Sequence, residues 1–202
     1  MFSKRLRLPV AASMGLFLIF AMPPRVASAH PHVFIDNRVK SIFHDGRLTG
    51  FSVEWKLDEL FSTGVLPHKP ADGRLSAADV ARIRHDAFDN LRHYGYFIHV
   101  WQGARPDEVS DVSAFSAELE GGRLLYRFVA KLAVPLDVRR GPVIADFYDE
   151  TYFVDVEFPD GDPSGFALDG APAGCSATLR EDHAHMIPGW GFDPPGALIA
   201  CT

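Results

Sequence analysis

The sequence predicts an α+β fold, mostly antiparallel β: a β-sandwich-like domain with one inserted helix and a disulfide-tied C-terminal segment. Three observations carry this. Short alternating or β-branched runs recur between Val33 and Leu179, with turn signals every ten or so residues. A single stretch of helical period, at about residues 76–94, interrupts them. The two cysteines, Cys175 and Cys201, both fall near the C-terminus. In an exported chain such a pair reads as a disulfide, and the rival thiolate metal pair suits an oxidising compartment poorly.

Export itself is read from the first 29 residues. Lys4, Arg5 and Arg7 form a basic start, and Val10 to Met22 is an apolar run broken by Ser13 and Gly15. Pro23 and Pro24 end any helix, and Ala27-Ser28-Ala29 has the small-x-small pattern that signal peptidase cuts. The run is shorter than the roughly 20 apolar residues a membrane-spanning helix needs. The expectation is a cleaved signal peptide over 1–29, a mature chain with no transmembrane segment that begins at His30, and a periplasmic location.

Removing the leader takes away Lys4, Arg5, Arg7 and Arg25, leaving 16 basic residues against 26 acids and a net charge of −10. That balance argues against nucleic acid, because phosphate contacts need clustered Lys and Arg. All nine histidines lie in the mature part.

Val33 to Ile42, the turn signal Asp45-Gly46-Arg47 and the alternating Leu48 to Leu57 predict a hairpin. Residues 58–73 read as a loop. Within it, Asp72-Gly73 and Asp79 occupy the fifth, sixth and twelfth places of a calcium-loop pattern. His68 and Pro70 take positions where hard oxygen ligands are needed, so the loop resembles a decayed calcium site and calcium is not expected. Ser76 then caps the helix, with Asp79 at its N3 position, and Gly95 stops it. Strands follow at Tyr96–Trp101, Ala114–Leu119, Leu124–Val134, Val143–Phe147, Tyr152–Phe158, Phe166–Leu168 and Ser176–Leu179. Pro159-Asp160-Gly161-Asp162-Pro163 marks a boundary between a main β domain (30–158) and a C-terminal segment (159–202) that packs on it or stands apart.

The chain has no Gly-x-Ser-x-Gly elbow, phosphate loop or Gly-x-Gly-x-x-Gly, so nothing in it calls for an enzyme. The histidines point elsewhere. His30-Pro31-His32 follows the cut directly, and His183-Ala184-His185 repeats the spacing near the other end. A terminal amine ionises at about 7.7–8.0 and yields its proton to a metal, so amine and imidazole of His30 together form a chelating group. Imidazole suits zinc, copper and nickel. Asp146, Tyr148 and Glu150 alternate along one strand face, from which an oxygen ligand could come. The expected metal ligands are therefore His30 and His32, with His183, His185, Asp146 or Tyr148 completing the shell. The rival reading leaves the strand acids facing water and the C-terminal histidines in an unattached tail.

His30-Pro31-His32-Val33-Phe34-Ile35-Asp36 after a signal peptide resembles an exported bacterial family known as domain of unknown function 1007. Trp55-Lys56-Leu57-Asp58-Glu59, the Asp72-Gly73 loop leading to a helix, Tyr96-Phe97 and Tyr148-Asp149 carry the resemblance along nearly the whole mature chain. That family is often called an ABC-transporter substrate-binding protein and is commonly encoded near nickel/cobalt exporters of the NicO type. The resemblance implies metal delivery or support of efflux, with an inner-membrane metal transporter or exporter as partner. At 173 mature residues, without two large lobes, the chain is not expected to be an ordinary clamshell binding protein. Two expectations result. The first is a periplasmic accessory protein binding a divalent transition metal, zinc or nickel/cobalt, with copper suited to the terminal geometry. The second is a metal-free adaptor β-module that docks on a membrane transporter.

Overall fold

Alternation of apolar and polar residues is what drives this chain into two sheets. The computed structural model describes residues 32–66, 70, 72–159 and 165–202. Residues 1–29, read from the sequence as a signal peptide, and His30 and His68 lie outside the described residues.

In chain order the strands are β1 (Val33–His44), β2 (Arg47–Leu57), β3 (Ile98–Gln102), β4 (Arg105–Asp107), β5 (Val109–Glu120) and β6 (Arg123–Leu136). They continue with β7 (Val143–Phe147), β8 (Val154–Glu157), β9 (Phe166–Asp169), β10 (Cys175–Glu181) and β11 (Pro195–Cys201). The first sheet runs β5-β6-β2-β1, and β8 and β9 lie end to end along the free edge of β1. Those two edge pairings are parallel, and every other pairing is antiparallel. The second sheet runs β10-β11-β7-β3-β4. The fold is thus a mostly antiparallel two-sheet α+β structure.

The β1–β2 hairpin turns on Asp45 and Gly46, at φ 50° and 74°. Both are left-handed, as a two-residue turn matched to the strand twist demands. Along β1 the inward positions Val33, Ile35, Val39 and Phe43 are buried while their neighbours face outward. The sheets meet through aromatic side chains, Phe51 against Phe147 at 6.0 Å, and Trp55 of the first sheet also stacks on Phe97, just ahead of β3, at 5.8 Å.

The inserted helical segment begins as α2 (Ala77–Ile83). Ser76 accepts the N–H of Asp79, and Asp79 accepts the N–H of Ser76, a reciprocal cap. The segment then widens into a π-turn (Arg84–Phe88) and tightens into a 3-10 stretch (Asp89–Phe97). Gly95, Tyr96 and Phe97 all sit at φ between 54° and 58°, so β3 starts at Ile98 and not at Tyr96 as alternation suggests. Burial of Phe88 against Trp55, Tyr126 and Phe128 holds the segment to the core.

Three further differences from the sequence reading have local causes. The stretch read as a loop from residue 58 contains a helix, α1 (Glu59–Val65), because the Asp58 carboxylate accepts the Phe61 N–H and caps it. The β4 strand was hidden by its brevity. The β11 strand was hidden because Pro194-Pro195-Gly196 reads as a turn. The disulfide is present: Cys175 and Cys201 stand directly opposite on β10 and β11, with an S–S distance of 2.00 Å.

Candidate metal centre

β7 lies between β11 and β3, and register places Gly196 and His99 on either side of Asp146. Ile98 and Val100 point into the sandwich core. The intervening His99 and Trp101, and with them Asp146, therefore belong to the sheet's opposite face. A carboxylate there would ordinarily meet water. Asp146 is instead 0% exposed, because the chain leaving β10 folds back over it before returning as β11.

That covering turn brings Asp182 and His185. The Asp182 carboxylate accepts the Ala184 N–H at 3.1 Å, which bends the chain so that His185 comes back to Asp182. His185 Nδ1 lies 2.5 Å from Asp182 Oδ2. One ligand atom each from Asp146, Asp182 and His185 lie within 4.8 Å of one another. Ile187, further along the turn, is 4% exposed and anchors it.

Gly196 is the residue that makes room. A Cβ at this position would lie 1.9 Å from Asp146 Oδ1 and 2.9 Å from the Ala145 carbonyl oxygen. Both carboxylate oxygens of Asp146 are buried without a hydrogen-bond partner among the described residues. Such a group is costly unless something satisfies it. Burial first, and then the neighbouring Asp182 carboxylate, push Asp146 up to about 8. In the metal-free protein at neutral pH it therefore holds its proton. Burial acts to raise Asp182 as well, but hydrogen bonds from His185 and the Ala184 N–H outweigh it and hold this carboxyl below its ordinary range. Arg180 donates to Asp182 at 3.2 Å and supplies a local positive charge. Two carboxylates and an imidazole are a donor set for a divalent ion of borderline hardness, with coordination positions left open.

Of the residues singled out in the sequence, Asp146 and His185 meet in this cluster. His183 does not join them. Its ring belongs to a second, more exposed group with Glu181 and Asp193, and its Nδ1 is 2.6 Å from Asp193 Oδ2. The two histidines part company because β10 ends at Glu181 and the following residues turn. Tyr148 follows β7, with its ring stacked on His99 at 3.9 Å. Burial, then the charges of Glu150, Asp146 and Asp182, push its hydroxyl up to about 12. His99 shifts the other way: burial lowers it, and its Nε2 lies 3.0 Å from the Tyr148 carbonyl oxygen. His32 packs its ring against Phe153 at 5.0 Å, and its backbone N–H donates to the Phe153 carbonyl. In the calcium-like loop Asp72 accepts the Arg74 N–H, and Asp79 is engaged by Ser76 and Arg82.

Sequence reasoning missed Asp182, Trp101 and Gly196. Asp182 left a trace, since Glu181-Asp182-His183-Ala184-His185 is a His-x-His preceded by two acids. The other two become visible only through cross-strand register.

Among proteins of similar sequence, a 15.5 kDa uncharacterised protein of Spirochaeta aurantia is 28% identical over 126 residues, covering 60% of this chain and 89% of that protein. An uncharacterised protein of Haemophilus influenzae is 29% identical over 143 residues, covering 70% of this chain and 66% of its own length. The sequence profile of one family matches residues 15–185, a span that ends in the covering turn at His185. The chain belongs to that family, described as "Protein of unknown function (DUF1007)".

Proposed function

We propose that this chain is an exported accessory protein that binds a divalent transition metal through Asp146, Asp182 and His185 and serves its transport or efflux. The observation carrying the reading is Asp146: a carboxyl 0% exposed, with no hydrogen-bond partner for either oxygen among the described residues, aimed at a second carboxylate and an imidazole. A bound cation would satisfy both oxygens and offset the burial and, after it, the like-charge repulsion from Asp182 that keep Asp146 protonated. Zinc, nickel and cobalt suit two oxygens and one nitrogen better than copper(I), which prefers sulfur ligands. The disulfide fits a chain that matures outside the cytoplasm, in the periplasm on this reading. Three protein ligands with open positions suit an ion that is passed on, to an inner-membrane transporter or exporter, better than one locked in place. His30 and His32 remain candidates for a separate terminal chelate.

The test is equilibrium dialysis of the protein beginning at His30 against zinc, nickel, cobalt and copper. Tight uptake of one ion per chain, lost in Asp146→Asn and His185→Ala, supports the reading. A form extended by one residue at the N-terminus separates the terminal chelate from the buried site. Uptake below that of a non-specific control in every form would sink it.

A second reading has one observation in its favour. An apolar cavity of about 260 Å³ opens beside α1, lined by Trp55, Phe61, Tyr94 and Phe153 among others. Phe153 and Tyr94 are about half exposed, which suits an adaptor module docking an apolar side chain of a membrane transporter. Metal-independent association with such a transporter would favour it.

A further inference from the structure

We infer that Trp101 is the positioning residue of the metal centre: its indole is the platform that holds the His185 imidazole in place to ligate. The inference rests on the metal reading of Asp146, Asp182 and His185. His185 sits on a turn, outside any strand, and its side chain is 25% exposed, so no ladder of backbone hydrogen bonds fixes it. Two contacts orient its ring. Asp182 takes one edge through Nδ1 at 2.5 Å, and Trp101 takes the face, with ring centroids 4.0 Å apart and planes 13° from parallel.

Trp101 itself is placed by β3, two residues along the same face from His99, the cross-strand neighbour of Asp146. Behind it the stack continues. Trp101 and His99 are 6.0 Å apart and 17° from parallel, and His99 and Tyr148 are 3.9 Å apart and 14° from parallel. Four rings thus form one column along the outer face of the second sheet, with its end at the candidate ligand. The column's middle rings, Trp101 and His99, are strand residues of the second sheet, whereas His185 comes from the covering turn.

The stack also favours the loaded state over the empty one. A metal on the imidazole withdraws electron density from its ring, and an electron-rich indole face attracts such a ring more strongly than a neutral one. Removing the indole therefore weakens metal binding by more than its loss of contact area with the apo ring implies. Partners that orient a ligating histidine typically account for about 10–100-fold in affinity.

The probe is Co2+ alone, titrated into the protein beginning at His30 and into Trp101→Leu, Trp101→Phe and His185→Ala. Wild type gives a visible-band spectrum that includes a nitrogen ligand. Trp101→Leu loses about 10–100-fold in affinity, and its spectrum moves to that of His185→Ala. Trp101→Phe, which keeps an aromatic face, stays within about threefold of wild type and keeps the wild-type spectrum, again on the scale of orienting contacts. A purely structural role for the indole would change affinity and melting temperature without moving the spectrum toward that of His185→Ala. Should Trp101→Leu fail to fold, the Phe variant compared with wild type in a Trp190→Phe background decides. Quenching of indole emission on Co2+ addition must then be strong with Trp101 present and largely lost without it. Wild-type binding lost in His185→Ala but unchanged in affinity and spectrum in Trp101→Leu, or unquenched indole emission, overturns the inference. Absence of binding in wild type instead overturns the metal reading beneath it.

Discussion

Replacing Asp146 by Asn should make the metal-free protein more stable while removing its metal, and the pH dependence of the gain is the diagnostic. Asp146 ionises at 3.8 in an open chain and at about 8 in the fold, where burial and the Asp182 carboxylate disfavour its charge. The folded state therefore binds a proton that the unfolded state releases between those values. Stability falls as pH rises through that window, by about 1.4 kcal/mol per unit for one proton. From 3.8 to pH 7 the penalty reaches about 4 kcal/mol. Asn has nearly the same shape and fits over Gly196. Burying its amide returns about 1–2 kcal/mol of that gain. The net gain at pH 7 is about 2–3 kcal/mol, or roughly 5–10 °C in melting temperature for a chain this size. At pH 4 the ionisation penalty is nearly gone, and the buried amide should leave the variant about 1–2 kcal/mol less stable than wild type. Thermal melts of both proteins in chelator from pH 4 to 8, followed by circular dichroism, measure this directly. A variant less stable than wild type at pH 7, or a gain that does not shrink on acidification, would refute the account of Asp146 as a neutral buried acid awaiting a cation.

Three further outcomes can be checked with the same material. Gly196→Ala drives a methyl into the space of the Asp146 carboxylate, so it should cost about 1–3 kcal/mol in stability by denaturant melts. In dialysis it should lose metal as completely as Asp146→Asn. His183→Ala should leave affinity at the buried site within about twofold, since its 75% exposed side chain pairs with Asp193 and makes only a screened surface contact. A tenfold loss would mean that His183 swings into the same shell. Replacing Cys175 and Cys201 together by Ser opens a crosslink spanning 26 residues, and loop entropy predicts a loss of about 3 kcal/mol. Because that crosslink also staples β10 to β11, the two strands flanking the covering turn, metal affinity should fall in the same double variant.

Much of the fold was legible because period-two alternation and turn chemistry are local. Val33–Leu57 announced its hairpin through alternating apolar residues around Asp45-Gly46, and Ser76 with Asp79 announced the helix start. Asp58 was as good a cap signal, but the helix it begins has just seven residues, too few for its period to show. The candidate site divides the same way. Asp146 and His185 were singled out by residue type and spacing. The expectation that His183 and His185 serve one ligand shell rested on their spacing, and the turn that follows the end of β10 at Glu181 sends them to different groups.

By itself the sequence determined a two-faced β-rich chain, a helical interruption, a linked pair of cysteines, and a supply of imidazole and carboxylate at its ends. Each is set by interactions between residues within a few positions of one another, or by composition. Tertiary structure alone decided which of those groups meet. Register across β11, β7 and β3 set Gly196 and His99 beside Asp146, and the return of the chain over that face buried a carboxyl that alternation alone would leave in water. The physical reason is range: side-chain chemistry is written residue by residue, whereas burial, and with it the protonation state of Asp146 and the hold of Trp101 on His185, exists only once distant strands have paired.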